Sequence, residues 1–190
     1  MSLSKTIDIK LSDSLTATLP LVKSGDIWIY SFDLLGKAKY NRAAAETLAG
    51  LIRAAEIDFD IFLTAETKSI GLVDNLARHF EHDDYVILRK SVKGYMINPA
   101  SIEVTSITTA GVQRLHLGEE NFHLLRNRRV CIVDDVISTG GTLEAFYKMA
   151  GIIGFEIVLI ACALTEGHPR TEYRNTPLLS IANIPLPGGW

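Results

Sequence analysis

The stretch Val130–Thr142, "VCIVDDVISTGGT", runs four apolar residues into two adjacent aspartates, then two more apolar residues and a small, hydroxyl- and glycine-rich turn. Apolar runs of this length read as buried strands, so at least one of Asp134 and Asp135 points into the space above the sheet. Two neighbouring carboxylates repel each other and become favourable where a cation or several hydroxyls share them. The turn that follows opens a helix, whose free N–H groups and positive dipole end attract an anion. Gly140 and Gly141 let the backbone approach closely, while Ser138, Thr139 and Thr142 supply hydroxyls. A phosphate at the turn and a polyol or metal at the carboxylates together have the outline of a ribose 5-phosphate.

The segments around it alternate. "NRAAAETLAGLIRAA" sets Ala44, Leu48, Leu51, Ile52 and Ala55 on one helical face, with Asn41 as the expected N-cap. "FDIFLT" (Phe59–Thr64) and "YVILRK" (Tyr85–Lys90) read as strands, and "IGLVDNLARHF" (Ile70–Phe80) as a helix between them. "SIEVTSI" and "VQRLHL" alternate apolar and polar residues about Thr108–Gly111, an antiparallel hairpin. "GTLEAFYKMAGII" is the helix after the glycine pair, "FEIVLIACALT" a strand buried on both faces, and "LLSIANIPLPGGW" a last strand with an irregular end. Such βαβα alternation predicts an α/β fold, a parallel sheet with helices on both faces, and ligands at the carboxyl ends of its strands. Three ends carry suitable chemistry: "TAETKS" (Thr64–Ser69), "RKSVKG" (Arg89–Gly94) and the opening stretch.

Composition narrows the class. The 190 residues make one ordinary domain, 47% hydrophobic and 22% charged, with a net charge of -3 that offers nucleic acid or an anionic membrane no basic surface. The cluster Arg126, Arg128 and Arg129 reads as a solvated loop before a strand. Cys131 and Cys162 sit in apolar runs, with no partner at ligand spacing, and read as buried hydrophobes. The polar start "MSLSKTIDIKLSDS" has no apolar leader and no segment reaches membrane-spanning length, so a cytoplasmic protein is expected. Neither a "GxxxxGK[ST]" nor a "GxGxxG" pattern is present, and an acidic pair this late in the chain does not fit a phospho-acceptor receiver domain.

The opening stretch resembles the signature of type I phosphoribosyltransferases, and a weaker similarity, most like the adenine (purine) enzymes, extends from about Tyr30 to Leu179. The resemblance implies one domain over 1–190, with a small hood from about 15–36 and 180–190 and a flexible hairpin lid at about 91–118. It implies that Asp134 and Asp135 hold the ribose hydroxyls and that Ser138, Thr139, Gly140, Gly141 and Thr142 hold the 5-phosphate of phosphoribosyl pyrophosphate. "TAETKS" matches the family's pyrophosphate loop, Glu66, Thr67, Lys68 and Ser69, with serine where relatives often carry glycine at position 69. "LRKSVKGYM" resembles an "RK-x-x-K" segment in which Arg89 and Lys93 reach the pyrophosphate. Phe32 and Val136 are the candidates to sandwich the base.

The reaction so implied moves a ribose 5-phosphate unit from pyrophosphate to a base nitrogen, with inversion and an oxocarbenium-like transition state. Mg²⁺ is expected mainly through substrate oxygens, with Asp134 and Asp135 as its protein contacts. The partners expected are phosphoribosyl pyrophosphate, a nucleobase and, as in relatives, a second copy of the chain. Ser138 stands where many 6-oxopurine enzymes carry an aspartate, which points to adenine. Thr108 and Thr109 stand where adenine enzymes carry a lid glutamate, which points away from it. A sensor that binds the sugar phosphate without transferring it is the alternative, and a transferase for another base a further one.

Overall fold

The computed structural model describes residues 5–25, 27–104 and 113–187. Strands β1 (Thr6–Ser12), β2 (Leu15–Ser24) and β3 (Ile27–Tyr30) form an antiparallel sheet. There follow α1 (Ala38–Ala54), β4 (Ile61–Ala65), α2 (Ile70–His79) and β5 (Tyr85–Leu88). The hairpin β6 (Ala100–Val104) and β7 (Gln113–Leu117) leads through a 3-10 turn, Glu119–Leu124, into β8 (Arg129–Ile137). Helix α3 (Gly141–Ile153), β9 (Glu156–Glu166), β10 (Glu172–Tyr173) and β11 (Thr176–Ile184) complete the chain.

The main sheet has the order β10-β11-β9-β8-β4-β5, and all of it except β10 is parallel. Its strands alternate sides with period two. Phe62, Cys131, Val133, Leu159 and Ala161 face α1, α2 and the N-terminal sheet. Ile61, Leu63, Val130, Ile132 and Ile160 face α3 and the β6–β7 hairpin. Both faces are therefore covered, which is what the near-continuous apolar strands require. The chain order reverses between β4 and β8, and that switch point is where an open parallel sheet leaves a crevice.

Several expectations shift. The polar start is part of the fold: Ile9, Leu11, Ala17 and Leu19 alternate into the core, and the N-terminal sheet begins at Thr6. Asn41 does not cap α1. The helix starts three residues earlier, and Asn41, buried inside it, donates from Nδ2 to the carbonyls of Leu34 (2.7 Å) and Lys37 (3.0 Å). Leu51 points to solvent and Ala45 and Ala49 to the core, so the buried stripe is rotated from the one expected. The lid's strands are docked: Ile102, Val104, Leu115 and Leu117 are buried against α3, and Arg89 and His116 exchange backbone hydrogen bonds at 2.8 Å. The hairpin tip, with Thr108 and Thr109, lies outside the described residues. No helix among the described residues is long and apolar enough to cross a membrane.

Candidate functional site

At the switch point β4 pairs with β8 only as far as Thr64 opposite Val133, whereas β9 follows β8 on to Ile137. Asp134 and Asp135 thus lie within β8, on a part of the strand that β4 has left. The vacated side is bordered by the turn between β4 and α2, residues 66–69. Ser69 sits at the N-cap of α2, where a serine side chain ordinarily accepts from its own helix. Here its Oγ, in a residue only 2% exposed, donates instead to Asp134 Oδ1 at 3.1 Å. The first-turn amides of α2 are left without a side-chain cap, and α3 is equally uncapped, starting from Gly140. Two helix starts with free N–H groups therefore border one acidic strand end, the arrangement that attracts anions to either side of it.

The carboxylates are under strain of charge. Burial pushes the Asp134 carboxyl well above the usual range, and the neighbouring Asp135 charge adds to it. Burial raises Asp135 too, opposed first by Lys68, whose Nζ lies 3.9 Å from Oδ2. The Asp135 amide (2.9 Å) and Ser69 hydrogen-bond Asp134, and a shared cation or hydroxyl-rich ligand would relieve both acids. No cluster of three or more His, Cys, Asp or Glu among the described residues forms a protein metal cage. Two hard oxygen donors on one strand fit a Mg²⁺ held largely by a ligand's own oxygens.

The remaining candidates divide. Lys68 is half exposed and reaches over the turn, with Nζ 3.5 Å from the Phe32 carbonyl. Glu66 faces the next strand end: Oε1 lies 3.0 Å from Arg89 Nε and Oε2 accepts the Lys90 amide at 2.8 Å. Its carboxylate fastens the end of β5 to the turn. Arg89 is thereby held at the site's margin, its buried Nε without an aligned hydrogen bond. Lys93 bonds locally, Nζ to Ser91 Oγ at 2.6 Å, and is not drawn into the group. Val136 is half-buried beside Asp135, in place to line a cleft. Phe32 is 3% exposed and packed in the core.

Ser138, Gly141 and Thr142 are half-buried around the turn into α3, and Thr139 is exposed at its tip. Gly140 has φ +89°, a conformation glycine alone adopts without cost. A Cβ there would lie 2.7 Å from Cε2 of Tyr173, whose hydroxyl donates to Glu144 in the first turn of α3. Sequence reasoning missed Glu144, Tyr173 and Arg174; the one local sign was the turn-like "YRNT" before the last strand.

A family model, the phosphoribosyl transferase domain, matches residues 35–184. A hypoxanthine/guanine phosphoribosyltransferase of Methanothrix soehngenii is 32% identical over 148 residues, 76% of this chain and 73% of that protein. Among solved structures, an adenine phosphoribosyltransferase from Thermoanaerobacter pseudethanolicus superposes with a TM-score of 0.66 at 18% identity, over 87% of this chain and 95% of its own. Another, from Trypanosoma brucei in complex with AMP, pyrophosphate and ribose-5-phosphate, gives 0.60 at 17% identity, over 84% and 73%.

Proposed function

Because the chain belongs to the phosphoribosyl transferase domain family, we propose that it transfers the 5-phosphoribosyl group of phosphoribosyl pyrophosphate to a ring nitrogen of a purine, releasing pyrophosphate. One observation carries the reading. The pair of buried Asp134 and half-buried Asp135 lies at the switch point between two uncapped helix starts, at Ser69 and Gly140, a layout that suits one ligand with a polyol centre and two anionic ends.

In this reading Asp134 and Asp135 accept from the ribose 2- and 3-hydroxyls, and the Ser138–Thr142 turn takes the 5-phosphate. The amides of Thr67, Lys68 and Ser69, with the Lys68 ammonium, take the pyrophosphate. Arg89 adds charge from the end of β5, held there by Glu66, and Lys93 is the further cation of the same segment. Val136 packs against the base. Asp134 and Asp135 would hold a Mg²⁺ that arrives with the donor, and it would supply charge neutralisation for the departing pyrophosphate. The protein's own work is positioning, exclusion of water and stabilisation of the cationic sugar by the aspartates.

Two observations bear on which purine. The relative from Methanothrix soehngenii is named for hypoxanthine and guanine, whereas Ser138 provides no acid to handle a 6-oxopurine's proton, which favours adenine. The experiment is pyrophosphate release from phosphoribosyl pyrophosphate and Mg²⁺ with adenine, hypoxanthine or guanine. Release with one of them supports the reading and assigns the base. Tight donor binding without release from any of the three would refute transfer to these purines and leave the sensor or a transferase for another base.

A further inference from the structure

The β10–β11 hairpin turns on Arg174 and Asn175, with Tyr173 paired to Thr176, and both turn residues have positive φ, +50° and +63°. A two-residue turn with positive φ at both positions favours asparagine and glycine. Asn175 suits it. Arg174 takes it at a backbone cost, and its side chain makes contacts of its own.

That side chain donates from NH2 to Glu144 Oε2 at 2.5 Å, with its guanidinium 5.1 Å from the centroid of the Tyr147 ring. The Tyr173 hydroxyl donates to the other oxygen of the same carboxylate. Tyr147 braces the corner through its own hydroxyl, 2.7 Å from Thr176 Oγ1. Glu144 belongs to the first turn of α3, its amide bonded to the Gly140 carbonyl at 3.0 Å. The Tyr173 ring lies against Gly140 itself, its hydroxyl oxygen 3.2 Å from where a Cβ would stand. A carboxylate therefore stands beside the amide-lined turn; left free, it would repel an incoming phosphate and compete for the same helix end.

We propose that Tyr173 and Arg174 are positioning residues for the donor's phosphate: they hold the Glu144 carboxylate aside and neutralised, so that the Ser138–Thr142 turn presents an unopposed positive field to a sugar 5-phosphate. The inference rests on the reading of that turn given above. Neither residue need touch the ligand. Burial and the Glu144 carboxylate push the Tyr173 phenol up to about 12, so it remains a donor at physiological pH. The Arg174–Glu144 side chains are 54% and 36% exposed, too open to add much to folding.

The test is calorimetric binding of ribose 5-phosphate and of phosphoribosyl pyrophosphate with Mg²⁺. Arg174→Asn installs the residue the turn prefers, so the thermal midpoint holds or rises. The Kd nevertheless rises about fivefold at roughly 10 mM ionic strength, and the difference fades at roughly 1 M salt, where the Debye length is only ~3 Å. Adding Glu144→Gln to Arg174→Asn brings the Kd back to within about twofold of the wild-type value, because the uncompensated charge is gone. An unchanged Kd in Arg174→Asn overturns the proposal. A loss that Glu144→Gln does not rescue overturns it as well, and marks Arg174 as a direct phosphate ligand. Wild-type protein that binds neither sugar phosphate overturns the reading of the turn itself, and this inference with it.

Discussion

Replacing Gly140 by alanine tests whether the turn before α3 is built as described. The residue sits at φ +89°, and placing an L-residue in that left-handed region costs roughly 1–2 kcal/mol. The added Cβ would stand 2.7 Å from Tyr173 Cε2 and 3.1 Å from its Cζ, so the ring must move. A ring that moves gives up its hydroxyl bond to Glu144, a charge-assisted bond worth about 1 kcal/mol once its partial exposure is discounted. The two effects together predict a loss of about 2–3 kcal/mol. For a chain of 190 residues, at ~2–4 °C per kcal/mol, the thermal midpoint falls by roughly 5–10 °C. Urea denaturation of Gly140→Ala, Tyr173→Ala and the double variant separates the two causes. Without the ring only the backbone cost remains, so alanine at 140 costs roughly 1–2 kcal/mol and the coupling is about 1 kcal/mol. Equal costs in both backgrounds would refute the packing argument, and no cost in either would refute the turn geometry.

Two further outcomes follow from the site and from the N-terminal sheet. Asp134→Asn keeps an oxygen to accept from Ser69 and the Asp135 amide while removing a buried charge. Because burial raises this carboxyl in the folded state, the native protein binds more protons than the unfolded chain above about pH 3.9, and wild-type stability falls as pH rises through that window. The variant should be the more stable at neutral pH, with a flatter curve from pH 4 to 7, and should bind the sugar-phosphate donor at least about tenfold more weakly if the carboxylate meets the ribose hydroxyls. An identical pH slope would contradict the burial argument. Leu11→Ala, at a fully buried position of β1, should cost roughly 2–5 kcal/mol in one cooperative transition; a cost below about 1 kcal/mol would mean the N-terminal sheet is a loose cover.

The first sheet also shows why a visible pattern was not enough. "TIDIKLS" alternates Ile7, Ile9 and Leu11 with polar residues, a strand signal of period two. Half its residues are polar, however, and only the presence of α1 beneath it turns the apolar half into core. Asn41 failed as a cap for a related reason. Its Nδ2 is taken by carbonyls of the preceding loop, and that loop's path depends on where the helix docks. Phe32 looked available for stacking because an aromatic in a mixed segment carries no mark of which side is covered; packing covered it.

By itself the sequence determined the alternation of strands and helices, the acidic pair on a buried strand and the glycine turn into α3. Each of these rests on neighbours within a few residues, where periodicity, chain stiffness and turn chemistry act directly. Only the tertiary structure decided what the acids meet. The Ser69–Asp134 bond spans 65 residues and the corner of Tyr173 and Arg174 on Glu144 spans about thirty, distances at which partners are set by which strands lie side by side. The order of the sheet, with β8 running on past the end of β4, is what sets a repelling carboxylate pair beside the turn that opens α2.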